Sequence, residues 1–291
     1  MSIRNRQPSG QDAVKEKNIS DQLEISIKPN EKINVEHIDI NDLKIDKKPR
    51  PLHKIVMDDL PELPYAVEEA INRLRVNISF LGSDIKTIMV TSTMPNEGKS
   101  FVSLHLWRQL AQAGIPTLFV DMDLRKSVMV EKYSIHREDD QTMNGTSYYL
   151  ANKIPLSEVV FQSEIPNGYI LPNVDNVINP SMLLESNRFK MMFEQMKAAF
   201  RYVIIDVPPL NLVSDGEKIG SLCDGAILVV RGGETPKAMV KNSTNQIERA
   251  GCPLLGIVLN RVKGSGSGYY YKKYGGGSYY GKYGKEGYYY K

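Results

Sequence analysis

Lys86-Thr-Ile-Met-Val-Thr91-Ser-Thr93-Met-Pro-Asn-Glu-Gly98-Lys99-Ser100 decides the fold. An apolar run short enough for a buried strand leads into a turn rich in Pro, Asn and Gly. A Gly-Lys-Ser triplet then opens an amphipathic stretch that runs to Ala113 and stops at Gly114. Strand, turn and helix in that order are the context in which a Gly-Lys-Ser triplet becomes a phosphate-binding loop. Pro95, Asn96, Glu97, Gly98, Lys99, Ser100 and Phe101 would surround an anion, with the backbone N–H groups from Asn96 onward facing it. Lys99 would reach the β- and γ-phosphates of a nucleotide, and the Ser100 hydroxyl would ligate Mg²⁺. The strict loop pattern has glycine at its first position, where Thr93 stands, and often a second at Asn96. Asparagine accepts a left-handed backbone better than most residues, so the turn remains feasible.

Outward from this loop the chain alternates short apolar strands with helices. A helix is predicted from Tyr65 to about Leu81, with Val67, Ile71, Leu74 and Ile78 at helical spacing and Gly82 at its cap. Strands follow at Lys86–Thr91, Thr117–Asp121, Tyr202–Asp206, Gly225–Val230 and Pro253–Asn260, with Tyr169–Leu171 a short candidate. Helices are read over Ser100–Ala113, Ser181–Phe200 and Pro236–Ala250. The pattern predicts an α/β fold, a phosphate-loop NTPase with a mainly parallel central sheet flanked by helices. Lys126–Asn179 is otherwise opaque to periodicity.

Two strands end in carboxylates. Asp121 and Asp123 follow Leu118-Phe-Val120, and strand alternation places both on one side. Asp206 ends Tyr202-Val-Ile-Ile and is followed by Pro208-Pro209, which stop the ladder. In an open α/β sheet the carboxyl edge of the strands is where ligands bind. Three carboxylates beside a phosphate loop suit cation binding and base catalysis. Asn260 and Arg261, after the last strand, line an adenine pocket or form a strand-end turn.

The flanks differ in composition. Residues 1–60 read as a largely disordered extension and linker, punctuated by Pro49, Pro51, Pro61 and Pro64, with a loosely alternating Ile33–Ile45 segment. Residues 61–262 hold the globular domain. Residues 263–291 are almost wholly Gly, Ser, Tyr and Lys, a flexible tail that buries too little to order itself. Ten tyrosines lie there: Tyr269, Tyr270, Tyr271, Tyr274, Tyr279, Tyr280, Tyr283, Tyr288, Tyr289 and Tyr290. Five lysines between Tyr269 and Lys291 oppose the single Glu286, so the tail is drawn to a site lined by carboxylates and phosphates. Its reach, about 30 Å as a root-mean-square span, lets it enter a neighbour's site.

The whole chain carries 41 % hydrophobic and 24 % charged residues, an ordinary globular composition. Its net charge of +3 makes no case for nucleic acid, and none is expected as a partner. No run approaches the ~18 apolar residues of a membrane span, and the polar Met1–Asp21 is no secretory signal. The expectation is a cytoplasmic protein with Cys223 and Cys252 reduced.

Pro95-Asn-Glu-Gly-Lys-Ser100, Val120-Asp-Met-Asp-Leu-Arg125 and Ile204-Ile-Asp-Val-Pro-Pro209 together resemble the bacterial tyrosine kinases of capsule and exopolysaccharide synthesis. Asn179-Pro-Ser-Met-Leu-Leu-Glu-Ser186, Asp224-Gly-Ala-Ile-Leu-Val-Val-Arg231 and the terminal tyrosines support the resemblance, which spans roughly Pro64 to Val262 and the tail. It implies an ATP-dependent kinase that phosphorylates its own tail tyrosines, in trans between protomers. It implies that Lys99 and Ser100 hold nucleotide and Mg²⁺, that Asp123 and Asp206 help bind the metal, and that Asp121 is the base. It implies a membrane adaptor that recruits and activates the chain at the inner face of the membrane, a tyrosine phosphatase, and assembly into a ring-like homo-oligomer. The ring motif Glu-x-x-Arg-x-x-Arg reads here as Glu69, Asn72 and Arg75, without its middle arginine. The competing reading is a switch ATPase of the partition or cell-division type, which the tyrosine tail disfavours.

Overall fold

A computed structural model describes residues 52–262. The ten tail tyrosines and the Ile33–Ile45 segment lie outside the described residues. The elements run β1 (Lys54–Met57), α1 (Tyr65–Ser79), β2 (Thr87–Ser92), α2 (Lys99–Gln112), β3 (Thr117–Asp121), α3 (Met129–Lys132), β4 (Ile135–Arg137) and α4 (Thr146–Ala151). A 3₁₀ turn at Leu156–Glu158 precedes β5 (Phe161–Ser163), β6 (Gly168–Leu171), α5 (Ser181–Leu184), α6 (Asn187–Ala199) and β7 (Tyr202–Asp206). Then come α7 (Asp215–Gly220), β8 (Gly225–Arg231), α8 (Lys237–Arg249) and β9 (Leu254–Asn260).

The nine strands of the described residues join one sheet in the order β4-β1-β5-β6-β3-β7-β2-β8-β9. The six pairings β6-β3, β3-β7, β7-β2, β2-β8, β8-β9 and β1-β5 are parallel, whereas β1-β4 and β5-β6 are antiparallel. Side chains of each central strand alternate between two cores. Met89, Leu118, Val120, Val203 and Ile205 face a core closed by Phe189, Met192, Phe193 and Met196 of α6 with Ile219 of α7 and Ile247 of α8. Ile88, Val90, Phe119 and Ile204 face the opposite core, closed by Ile71 and Ile78 of α1 and by Val102, Trp107 and Leu110 of α2. Burial on both faces is why these strands read as continuous apolar runs. Trp107, fully buried, also donates its indole N–H to the Thr117 carbonyl at 3.1 Å, which fastens α2 to the start of β3.

Two expectations need correction. The linker assigned to residues 1–60 ends too late, because Lys54–Met57 is a strand. It pairs with β4 and β5 and buries Ile55 and Met57, partners that lie some 80 to 110 residues away along the chain. The single helix expected over Ser181–Phe200 is two. The chain breaks at Glu185–Ser186, where the Ser186 hydroxyl accepts the Phe189 N–H and caps α6. Such a cap stabilises the new helix start by about 1 kcal/mol.

The order β3-β7-β2 has a consequence for the site. The crossover from β2 through α2 to β3 skips one strand position, and β7 fills it. In register, Asp206 on β7 stands opposite Asp121 on β3 and opposite Val90 on β2. Three strand ends thus deliver the phosphate-loop sequence and two carboxylates to one edge of the sheet.

Candidate functional site

The loop from Thr93 to Gly98 leaves β2 and enters α2 through two left-handed residues, Asn96 at φ 63° and Gly98 at φ 93°. Asparagine is thus found in the conformation its place in the loop demanded. Gly98 has no substitute, because a Cβ there would overlap the Asn260 side-chain nitrogen. Beyond Gly98 the first N–H groups of α2 have no helical partners and face outward, an arrangement suited to an anion.

Lys99 and Ser100 are drawn to Asp206. The Lys99 Nζ lies 3.1 Å from Asp206 Oδ2 and 3.4 Å from Asp123 Oδ2. The Ser100 hydroxyl donates to Asp206 Oδ2 at 2.6 Å, and Ser103 donates to Oδ1 at 3.2 Å. Burial works against the Lys99 charge, but Asp206, then Asp123 and Asp121, outweigh it and hold the ammonium above the ordinary lysine value. Asp206 itself is pushed up by burial, against the opposing pull of Lys99 and Ser100.

Asp121 is fully buried and accepts from the Ser127 hydroxyl and from the Asp123 N–H. Burial, then the neighbouring Asp206 charge, pushes its carboxyl up to about 7. Asp123 stands two residues past the end of β3, yet it and Asp121 both act on the same lysine. The three aspartates therefore converge. Among the described residues, however, no group of three or more His, Cys, Asp or Glu is arranged to hold a metal ion unaided. That fits a hard cation such as Mg²⁺, which keeps several waters and takes only one or two protein oxygens beside phosphate. The excess of oxygen donors over the single lysine supplies the chemistry such an ion needs.

These groups line one wall of a cavity of about 910 Å³, at the upper end of the range for small-molecule sites. Pro95, Asn96, Gly98 and Phe101 of the loop and helix start line it, as do Asn260, which is bonded to the loop, and Arg261. Glu97 does not line it. Its side chain is turned inward and is only 2 % exposed, so of this residue only the backbone remains to meet a phosphate. Glu69 and Arg75 are not brought to the cavity either. They lie on α1, where Arg75 donates to Asn72 at 3.0 Å, so the residue in place of the missing arginine orients the other one.

Sequence reasoning missed two features. Ser127, the hydroxyl partner of Asp121, lies in the stretch without periodicity. Arg125 makes a bidentate pair with the buried Asp215 at 2.6 and 3.0 Å, tying the end of β3 to α7. No local pattern announces a contact across 90 residues.

The chain has relatives among known proteins. A family model described as an AAA domain matches residues 85–218. The tyrosine-protein kinase CpsD of Streptococcus agalactiae is 37 % identical over 202 residues, covering 69 % of this chain and 86 % of that protein. The crystal structure of the chimerical protein CapA2B2 is 30 % identical, with a TM-score of 0.62 over 73 % of this chain and 94 % of that one. The kinase domain of the Escherichia coli tyrosine kinase ETK is 26 % identical, with a TM-score of 0.63 over 75 % and 91 %.

Proposed function

The chain belongs to the bacterial tyrosine-protein kinases, and we propose that it transfers the γ-phosphoryl group of ATP to tyrosines of its own C-terminal cluster, Tyr269 to Tyr290. The observation that carries this reading is the convergence of Lys99, Ser100, Asp121, Asp123 and Asp206 on one wall of the cavity. The N–H groups from Asn96 to Phe101 cradle the phosphates, with Pro95 at the edge of the loop. Lys99 bridges the β- and γ-phosphates and balances charge that builds in the transition state. Ser100, Asp206 and Asp123 would hold Mg²⁺, which when bound would neutralise charge on the triphosphate. Asp121 takes the proton from the incoming tyrosine hydroxyl. The tyrosine oxygen forms its bond to the γ-phosphorus as the bond to the bridging oxygen breaks, leaving ADP. Asn260 borders the nucleotide.

The rest of the proposal concerns assembly. Residues 61–262 with β1 form the kinase domain. Glu69 and Arg75, on the half-buried face of α1, bridge protomers in a ring, so that the basic tail of one copy reaches the site of the next. Phosphorylation adds about −1.5 to −2 charges per tyrosine, which reverses the attraction and expels the tail. No helix of the described residues is long and apolar enough to cross a membrane. In this reading a membrane adaptor with a cytoplasmic tail recruits the chain to the inner face of the membrane. A tyrosine phosphatase resets it, and the cycle regulates capsular or exopolysaccharide synthesis. Incubation with Mg·ATP tests the core of this. Phosphotyrosine confined to Tyr269–Tyr290, and absent from Lys99→Met, is expected; ATP hydrolysis without phosphotyrosine would favour the switch ATPase.

A further inference from the structure

Glu97 lies between the two left-handed residues of the phosphate loop, Asn96 and Gly98. Its carboxylate is buried and engaged on every side. Oε2 accepts the Met94 N–H at 2.7 Å, which closes the loop on itself. Oε1 accepts the Arg231 N–H at 3.3 Å and the Thr235 hydroxyl. Arg231 ends β8 and Thr235 lies in the turn that leads from it to α8. The Glu97 carbonyl in turn accepts from the Asn260 side chain at 2.9 Å, at the end of β9. The circuit closes when the Gly232 N–H donates to the Asn260 carbonyl at 2.8 Å.

Gly98 takes its left-handed conformation freely, whereas Asn96 is held in its own by bonds from outside the loop, since a residue with a side chain seldom adopts it in a free chain. The bonds that do so here converge on Glu97. Thr235 does not line the nucleotide cavity, and its hydroxyl reaches the loop through Glu97. Asn260 stands in both settings, bonded to Glu97 and lining the cavity.

We propose that Glu97 is a positioning residue for phosphoryl transfer: through Thr235 and Asn260 it locks the phosphate loop to the β8–α8 turn, and that lock raises the affinity for nucleotide. This rests on the nucleotide reading of the cavity and adds a coupling between two segments some 138 residues apart. Pre-shaping the loop costs nothing at the moment of binding, so its loss is expected to raise KM for ATP more than it lowers kcat.

The test uses the full chain with Thr235→Val, Thr235→Ser, Glu97→Gln and the double variant Glu97→Gln/Thr235→Val. Far-UV circular dichroism selects the folded variants, and Mg·ADP affinity is measured by calorimetry. Thr235→Val is expected to weaken Mg·ADP about tenfold, the worth of one hydrogen bond to a charged group. Thr235→Ser, which keeps the hydroxyl, is expected to bind within about twofold of the unaltered chain. Glu97→Gln turns an amide N–H₂ toward backbone donors and is expected to weaken binding at least as much as Thr235→Val. The double variant is expected to be no worse than Glu97→Gln alone, because Thr235 acts through that residue. A folded Thr235→Val with unchanged Mg·ADP affinity overturns the proposal, as does a Thr235→Ser variant as weak as Thr235→Val, or additive losses in the double variant. An unaltered chain that binds no Mg·ADP overturns the nucleotide reading itself, and this proposal with it.

Discussion

Replacing Asp121 by asparagine should strengthen the nucleotide-free protein while abolishing phosphoryl transfer, and the gain should depend on pH. The carboxyl is raised from 3.8 to about 7 by burial and then by Asp206. A carboxyl raised in the folded state binds its proton more tightly there than in the unfolded chain. Its contribution to stability is therefore full below about pH 4, is lost as pH rises through about 7, and stays lost above that. A rise of about three units corresponds to roughly 4 kcal/mol, an upper figure because Asp121 and Asp206 titrate as a coupled pair. The amide of Asp121→Asn is neutral at every pH and escapes this loss. It cannot accept from both Ser127 and the Asp123 N–H, which costs about 1 kcal/mol at all pH values. The unfolded carboxyl is already mostly ionised at pH 4.5, so the variant should be about as stable as the unaltered chain there and about 2–3 kcal/mol stronger at pH 8. Urea unfolding at both pH values, without nucleotide and with a chelator present, reads the difference. A stability difference that is the same at pH 4.5 and pH 8 would refute the reasoning.

Three further outcomes are expected. Lys99→Met should lower kcat by at least about 10²–10³, the usual loss when one charge-stabilising donor is removed, which leaves phosphotyrosine below detection in a short incubation; initial rates at saturating Mg·ATP check it. Gly98→Ala should weaken Mg·ADP binding by more than about tenfold, because it combines a strained left-handed residue with a Cβ that overlaps Asn260; calorimetry on a folded variant checks this. Trp107→Ala should destabilise the domain by about 3–5 kcal/mol in urea unfolding, since the ring is fully buried between α2 and the sheet.

The central sheet was legible because its strands are buried on both faces. Thr117–Asp121 and Tyr202–Asp206 stand within the bounds read from their apolar runs, and Lys86–Thr91 is offset by one residue. Wherever a long-range partner decides the structure, the sequence was silent. Lys54-Ile-Val-Met57 is too short to declare itself, and β4, β5 and α3 have three or four residues each. Their stability comes from neighbours brought together by the sheet. The break at Ser186 was legible in principle, since a serine ahead of Phe189 is a cap signal, but the apolar periodicity on either side hid it. At the site, Lys99, Ser100 and the three aspartates could be read because each sits at a strand end or helix start. Glu97 could not. A carboxylate inside a phosphate loop reads as a residue facing the ligand, and only the approach of Arg231 and Thr235 turns it inward.

The most direct test of the central claim is a phosphosite map of the full chain after incubation with Mg·ATP, with and without a candidate adaptor's cytoplasmic tail, beside Lys99→Met treated alike. The account predicts phosphotyrosine within Tyr269–Tyr290 in the unaltered chain and none in Lys99→Met. Phosphotyrosine that persists in Lys99→Met, or Mg·ATP turnover that never marks a tyrosine even with the adaptor present, would contradict it.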